Sequence, residues 1–128
     1  ALGGPIHVLG ALPHEQIVQL LAQADAYCLP TEYAEGFPTT LLEAAACCCP
    51  IVTTRTAGTG ELLPGDDYAV FLADASTQTI RAGLDTLMAD PVAAAARAEK
   101  AHENLCSHFT WQAVFATMME IVNAAKRS

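Results

Sequence analysis

The chain has 128 residues and 52% of them are hydrophobic, which is enough for one domain with a sizeable core. Its formal net charge of −8, with only 6 lysines and arginines, argues against a surface that binds nucleic acid or anionic membranes. Because no uninterrupted apolar run reaches about 18 residues, we expect no membrane-spanning segment, and no signal-peptide pattern is visible.

Short apolar runs alternate with segments of helical periodicity. In chain order, the first half predicts a strand at Ile6–Gly10, a helix over His14–Ala24, a strand at Asp25–Pro30, and a helix that opens at Thr39 or Thr40 and runs through Ala46. The second half predicts strands at Pro50–Thr54 and Tyr68–Leu72, a loop over Arg55–Gly65, and helices over Thr77–Met88, Val92–Asn104 and Trp111 to about Ala125. Strands separated by helices predict a parallel α/β sheet.

The last helix is predicted to begin after a capping residue, Thr110. Its helical periodicity predicts an inward face that includes Val114, Phe115, Met118, Ile121 and Val122. We also expect Trp111 to act as a core anchor and Tyr27 to pack under the sheet.

The stretch from Pro30 to Ala44 is the strongest candidate for a ligand site. An apolar strand ends there, a polar loop with Glu35 and Gly36 follows, and a helix then begins. Unpaired N–H groups at a helix N-terminus, together with the helix dipole, favour a bound anion. Parallel sheets bind ligands beyond the carboxyl ends of their strands, so the loop with Glu35 and the loop with Gly58 and Gly60 belong on the same edge.

Two carboxylates, Glu35 and Glu43, bracket this predicted site. Glu43 is placed in the first turn of an apolar helix, where a buried carboxylate needs a hydrogen-bonding partner. The hydroxyls of a ribose would be one such partner. The alternative is a capping box, in which the Glu43 side chain accepts a hydrogen bond from the Thr40 N–H. The local sequence leaves both interpretations open.

The five cysteines, three of them consecutive at positions 47–49, do not form the pattern of a disulfide framework. Their spacing does not indicate a zinc site either. We therefore expect small packed thiols in a reducing compartment, with a cytoplasmic location that is compatible with peripheral membrane association of a longer parent protein.

Several motifs together resemble the C-terminal domain of GT-B fold retaining glycosyltransferases, specifically glycosyltransferase family four (group 1). These motifs are Leu29–Thr31, Glu35–Pro38, Leu42–Ala46, Pro50–Val52, Gly58–Glu61 and His108–Trp111. Glu35 and Glu43 have the spacing of the family's pair of glutamates, E-x7-E. The resemblance implies a three-layer, Rossmann-like parallel sheet over the whole of residues 1–128.

The resemblance also implies roles for the residues of the central loop. Glu35 would contact the donor sugar and stabilise an oxocarbenium-like transition state. Glu43 would accept hydrogen bonds from the ribose hydroxyls. The segment that would hold the nucleotide diphosphate through its N–H groups runs from Gly36 to Leu41 and comprises Gly36, Phe37, Pro38, Thr39, Thr40 and Leu41.

Two departures from the family pattern lead to further expectations. Cys48 stands where the family usually has a glycine that ends the helix, so we expect a left-handed residue that costs about 1 kcal/mol. Ile6–Gly10 matches the family's third strand, which makes the chain a partial domain without the first two strands and their phosphate-binding cations. Exposed apolar surface and self-association at the sheet edge are then expected.

The function implied by the resemblance is binding of a UDP-, GDP- or ADP-sugar donor, without a metal or other cofactor. A retaining glycosyltransferase would move the hexosyl unit to a glycan or lipid acceptor held by a further N-terminal domain. Two alternatives stay open: a nucleotide-sugar epimerase-like enzyme of the same fold, and a non-catalytic α/β binding or interaction module. Nucleic acid is not an expected partner.

Overall fold

The computed structural model describes residues 4–33 and 36–127 of the chain. In chain order, its helices and strands are α1 (His14–Gln23), β1 (Tyr27–Leu29), α2 (Thr39–Ala46), β2 (Ile51–Thr54), α3 (Thr59–Leu62), β3 (Val70–Leu72), α4 (Thr77–Ala89), α5 (Pro91–His108) and α6 (Trp111–Arg127).

The three strands form one parallel sheet in the order β1-β2-β3. Cys28 is opposite Val52 in the first ladder, and Val52 is opposite Val70 in the second. The central strand β2 is buried at all of its positions, as a parallel strand covered on both faces should be. The prediction of a parallel α/β sheet is therefore confirmed, with each of these strands shorter than its predicted run.

Helices cover the sheet on both faces, which gives the expected layered arrangement. One core cluster gathers Ile51 of β2 with Leu41 and Ala44 of α2 and with Ala101 of α5. The second cluster gathers Val52, the next residue of β2, with residues of β3, α4 and α5. Successive side chains of a strand point to opposite faces, so the two clusters lie on the two sides of the sheet.

The predicted first strand, Ile6–Gly10, is wrong. This segment has no strand conformation, and the side chains of Ile6 and Val8 are 93% and 94% exposed. A β-strand needs a neighbouring backbone to pair with, and no described residue supplies one here. The apolar surface that the sequence led us to expect is thus present at this end of the chain.

The predicted inward face of the last helix is also wrong. Thr110 caps α6 as predicted, because its Oγ1 accepts a hydrogen bond from the Ala113 N–H at 3.2 Å. No residue of α6 is buried, however, and Trp111 is 87% exposed instead of anchoring the core. The amphipathic pattern identifies an apolar face correctly but does not say whether a partner covers it.

The segment predicted as a loop, Arg55–Gly65, contains the short helix α3. The side chain of Thr59 organises its start, since Oγ1 accepts from the Thr56 N–H at 2.9 Å and donates to the Thr56 carbonyl at 3.0 Å. Leu62, the last residue of α3, and Leu63 directly after it are fully buried. A single turn held by one hydroxyl and two leucines has too short a pattern for helical periodicity to reveal.

The C-terminus of α2 has the left-handed residue predicted at Cys48, whose φ is 51°. The Cys48 N–H donates to the Ala45 carbonyl at 3.1 Å, and the Cys49 N–H donates to the Ala44 carbonyl at 2.9 Å. These two bonds form a Schellman motif, which is usually closed by glycine at the left-handed position. The cysteine at this position is therefore strained.

Candidate functional site

The carboxyl ends of the strands form an edge on which several threonines tie the loops together. Thr53 Oγ1 donates to the Leu29 carbonyl at 2.9 Å, which links β2 to the end of β1. One residue further on, Thr54 Oγ1 accepts from the Thr31 N–H at 3.2 Å and also donates to the Thr31 carbonyl. The loop that leaves β1 is therefore fixed against β2 before it turns toward α2.

The two glycine-bearing loops of this edge contact each other at Gly36 and Gly58. Gly58 is buried, and a Cβ built on it would overlap the Gly36 carbonyl oxygen and lie 3.0 Å from the Phe37 Cα. The backbone of Gly58 has an ordinary right-handed conformation, with φ −78°. Glycine is needed here for space and not for an unusual dihedral angle.

Phe37 and Pro38 anchor the loop before α2 through their side chains. Pro38 is buried, and the half-buried ring of Phe37 packs against Phe109, with 5.3 Å between the ring centroids. Phe109 lies between α5 and α6, so the C-terminal part of the chain supports the loop. These two side chains therefore anchor the loop.

Helix α2 begins at Thr39, one of the two predicted starts, with Pro38 as its N-cap and no side-chain capping bond. The Leu41 N–H donates to the Pro38 carbonyl at 3.1 Å and is therefore occupied. The N–H groups of Thr39 and Thr40 have no protein acceptor within the described residues. These two donors point out of the start of the helix, as an anion site requires.

The capping-box interpretation of Glu43 is wrong. Because Pro38 is the N-cap, Thr40 already lies inside the helix and Glu43 falls in the second turn instead of the first. The Thr40 side chain is engaged elsewhere, since its Oγ1 accepts a hydrogen bond from the Tyr27 hydroxyl at 2.8 Å.

Glu43 is less enclosed than its apolar helix suggested, with 27% of its side chain exposed. Its Oε1 lies 3.6 Å from Nδ1 of His14, the first residue of α1, which is 70% exposed. His14 could not be distinguished from other surface residues in the sequence, because the approach of α1 to α2 is a tertiary contact. Glu43 has no other side-chain partner among the described residues, and its side chain is partly exposed.

Glu35, the other predicted carboxylate, lies outside the described residues. The structure describes its flanks: Tyr33 and Gly36 are both exposed at this edge.

Arg55, which directly follows β2 at this edge, is occupied by other contacts. It donates to Asp66 Oδ1 at 2.6 Å, and its guanidinium lies 3.7 Å from the centre of the Phe71 ring. It lines a cleft of about 580 Å³ at the ends of the three strands. Within the described ranges, no cluster of histidine, cysteine and acidic side chains could hold a metal ion.

No helix in the described part of the chain is both long enough and apolar enough to cross a membrane.

Comparisons with known proteins agree with this architecture. Residues 1–104 match the family model of the Glycosyl transferases group 1. Over 119 residues the chain is 37% identical to a glycogen synthase of Mycobacterium tuberculosis, an alignment that covers 93% of this chain and 28% of the relative. The chain therefore spans under a third of the length of this relative.

Two solved structures share the fold. A sucrose-phosphate synthase from Thermosynechococcus elongatus superposes with a TM-score of 0.79 at 19% identity, over 93% of this chain and 30% of that one. HepE of Anabaena, solved in complex with UDP, superposes with a TM-score of 0.74 at 21% identity, over 83% of this chain and 29% of that one. The fold is the Rossmann-like fold of GT-B glycosyltransferases, and the chain belongs to the group 1 glycosyltransferase family.

Proposed function

We propose that this chain forms the donor half-site of a retaining glycosyltransferase, which transfers a hexosyl unit from a nucleoside-diphosphate sugar to a glycan or lipid acceptor. The observation that carries the proposal is the start of α2. Two backbone donors, at Thr39 and Thr40, have no described protein partner there, and the reachable carboxylate of Glu43 lies one turn further along the helix.

The diphosphate is assigned to the backbone of the segment from Gly36 to Thr40. Pro38 has no N–H and the Leu41 N–H is bonded, so the donors in this assignment are those of Gly36, Phe37, Thr39 and Thr40. When the glycosidic bond breaks, negative charge grows on the departing diphosphate. Donors fixed at a helix N-terminus stabilise that charge without reorganising, and so they lower the barrier.

Glu43 is assigned to the ribose and Glu35 to the sugar. The Glu43 carboxylate can accept hydrogen bonds from two vicinal hydroxyls, with His14 on its other side. Glu35 precedes the diphosphate segment directly, so its carboxylate would meet the sugar and the developing positive charge at its anomeric carbon. We assign no metal ion to this site, because the proposed phosphate ligands are N–H donors.

One solved structure supports the nucleotide donor, and one further relative supports the hexosyl transfer. The solved HepE structure holds UDP, and one further relative, 28% identical over 121 residues, is an α-(1→4)-mannosyltransferase of Mycolicibacterium hassiacum. We place the acceptor on a separate domain of the full-length protein, and the proposed location is cytoplasmic with peripheral membrane contact. We propose no nucleic-acid partner for this chain, because its net charge is −8.

Calorimetric titration of the chain with UDP, GDP and ADP tests the proposal. One of the three nucleotides should bind at least tenfold more tightly than its own nucleoside, because the nucleoside lacks the diphosphate that α2 is proposed to hold. Equal affinity for nucleotide and nucleoside, or no binding of either, would contradict the assignment.

Sedimentation in the same buffer tests the proposed self-association through the exposed apolar surface.

A further inference from the structure

Helix α5 packs its histidine His102 against the opposite end of α2 from the proposed donor site. The Ala45 carbonyl oxygen of α2 lies 3.0 Å from His102 Nδ1 and 3.1 Å from the Cys48 N–H, which donates to it. One carbonyl therefore fixes both the imidazole and the strained cysteine. This contact brings two exposed thiols, Cys48 and Cys106, to the same junction of α2 and α5.

The contact with Ala45 determines what the other ring nitrogen of His102 can do. A carbonyl oxygen only accepts hydrogen bonds, so Nδ1 of the neutral imidazole must carry the hydrogen. Nε2 is then an acceptor, and it lies 3.5 Å from Cys106 Sγ, one turn further along α5. Cys106 and His102 thus form a thiol–imidazole pair in which the acceptor nitrogen is oriented by the backbone of a second helix.

The other thiols of the chain are in less reactive surroundings. Burial raises the pKa of Cys28, and it raises the pKa of Cys49 to about 11. The half-buried Cys47 directs its Sγ to the Val18 carbonyl at 3.8 Å. Cys48 is exposed, but its partial desolvation and then the nearby Glu99 carboxylate raise its pKa, and it lacks an imidazole partner within the described contacts.

We propose that Cys106 is a thiol-modification site that undergoes exchange with low-molecular-weight disulfides, with His102 as its base. The Cys106 proton passes to His102 Nε2 as sulfur attacks one sulfur atom of the disulfide. The S–S bond of the reagent breaks, a mixed disulfide forms on Cys106, and the departing thiolate takes the proton back from His102. The exchange needs no oxidant other than the disulfide itself.

The first test is peptide mapping by mass spectrometry after the folded chain is treated with a limiting amount of glutathione disulfide. The adduct should be found mainly on Cys106, with at least fivefold less on Cys48. This measurement needs no substitution, so it does not depend on the folding of any variant. An adduct mainly on Cys48, or equal labelling of the two exposed thiols, would overturn the proposal.

The second test measures rates with dithiodipyridine, a neutral disulfide, in variants whose folding is checked by circular dichroism. Cys106→Ser should abolish the fast phase and Cys48→Ser should keep it. His102→Gln should slow the fast phase about tenfold, as loss of a positioned base predicts. The matched control is His108→Gln, because His108 is exposed on the same helix and its Nδ1 lies 3.2 Å from the Asn104 carbonyl. An unchanged fast phase in His102→Gln would overturn the role of His102.

Discussion

The backbones of Gly58 and Gly36 are in contact, and the space between them is too small for a Cβ atom on Gly58. The loop after β2 therefore packs directly against the loop before α2. The contact joins two segments that are separated in sequence but lie on the same sheet edge. This contact restrains the loop of the proposed donor site through its backbone, while Phe37 and Pro38 anchor the same loop through their side chains.

Substituting Gly58→Ala tests this contact. The added methyl group would overlap the Gly36 carbonyl, so one of the two loops must move, and overpacking of this kind costs about 1–3 kcal/mol. We expect a lower free energy of unfolding in urea and weaker nucleotide binding. Gly60→Ala is the control, because a Cβ there meets no atom within 4 Å. Equal behaviour of the two variants would show that the loops do not depend on each other.

Substituting Cys48→Gly should stabilise the chain by about 1 kcal/mol. Cys48 has a φ of 51°, which lies in the left-handed region. This backbone conformation is unfavourable for residues with a Cβ atom and is readily adopted by glycine. The measurement is urea unfolding followed by circular dichroism. Cys48→Ala is the control: it removes the thiol but keeps a Cβ at the strained position, so it should bring no comparable gain. A stabilised alanine variant would mean that the thiol, and not the backbone, is unfavourable.

Substituting Glu43→Gln tests the assignment to the ribose. The amide is a weaker acceptor than the carboxylate, and hydrogen bonds to charged groups contribute about 1.5–3 kcal/mol, so we expect roughly tenfold weaker nucleotide binding. The melting temperature should change little, because among the described residues the Glu43 carboxylate has one side-chain partner, the exposed His14 at 3.6 Å. Glu15→Gln, at an exposed acid of α1, is the control. Lost stability with unchanged binding would assign Glu43 a structural role.

Substituting Glu35→Ala in the full-length protein separates chemistry from binding. If the carboxylate stabilises the transition state, the turnover rate should fall about 100-fold while the affinity for the nucleotide changes little. Steady-state kinetics with the donor sugar, compared with nucleotide titration, measure both quantities. The control is Glu32→Ala, at an exposed residue of the same loop. Equal losses of rate and affinity would reduce Glu35 to a binding residue.

The sequence correctly predicted the strands that pair and pack with other elements of the same chain. The apolar runs around Cys28 and Val52 were correctly predicted as strands. They pair with each other in a sheet that is formed within the chain. The left-handed Cys48 was predicted from the resemblance, because the family usually has at this position a glycine that ends the helix.

The errors at Ile6–Gly10 and α6 share one physical cause. The patterns of Ile6–Gly10 and α6 indicate apolar faces, but burial depends on a covering surface that no described residue supplies. Three contacts between separate elements were likewise missed or incomplete: His14 with Glu43, Gly36 with Gly58, and His102 with the Ala45 carbonyl. Tertiary contacts between helices or loops leave no periodic signal in the sequence. The start of α2 needed the structure as well, since the sequence allowed Thr40 to be either a cap or a helical residue.

The most direct test of the central claim is amide chemical-shift mapping of the chain with the nucleotide that binds best in calorimetry, compared with its nucleoside. If α2 holds the diphosphate, the N–H signals of Thr39 and Thr40 should shift with the nucleotide and stay in place with the nucleoside. Signals of Thr39 and Thr40 that do not move while the nucleotide is bound would contradict the account.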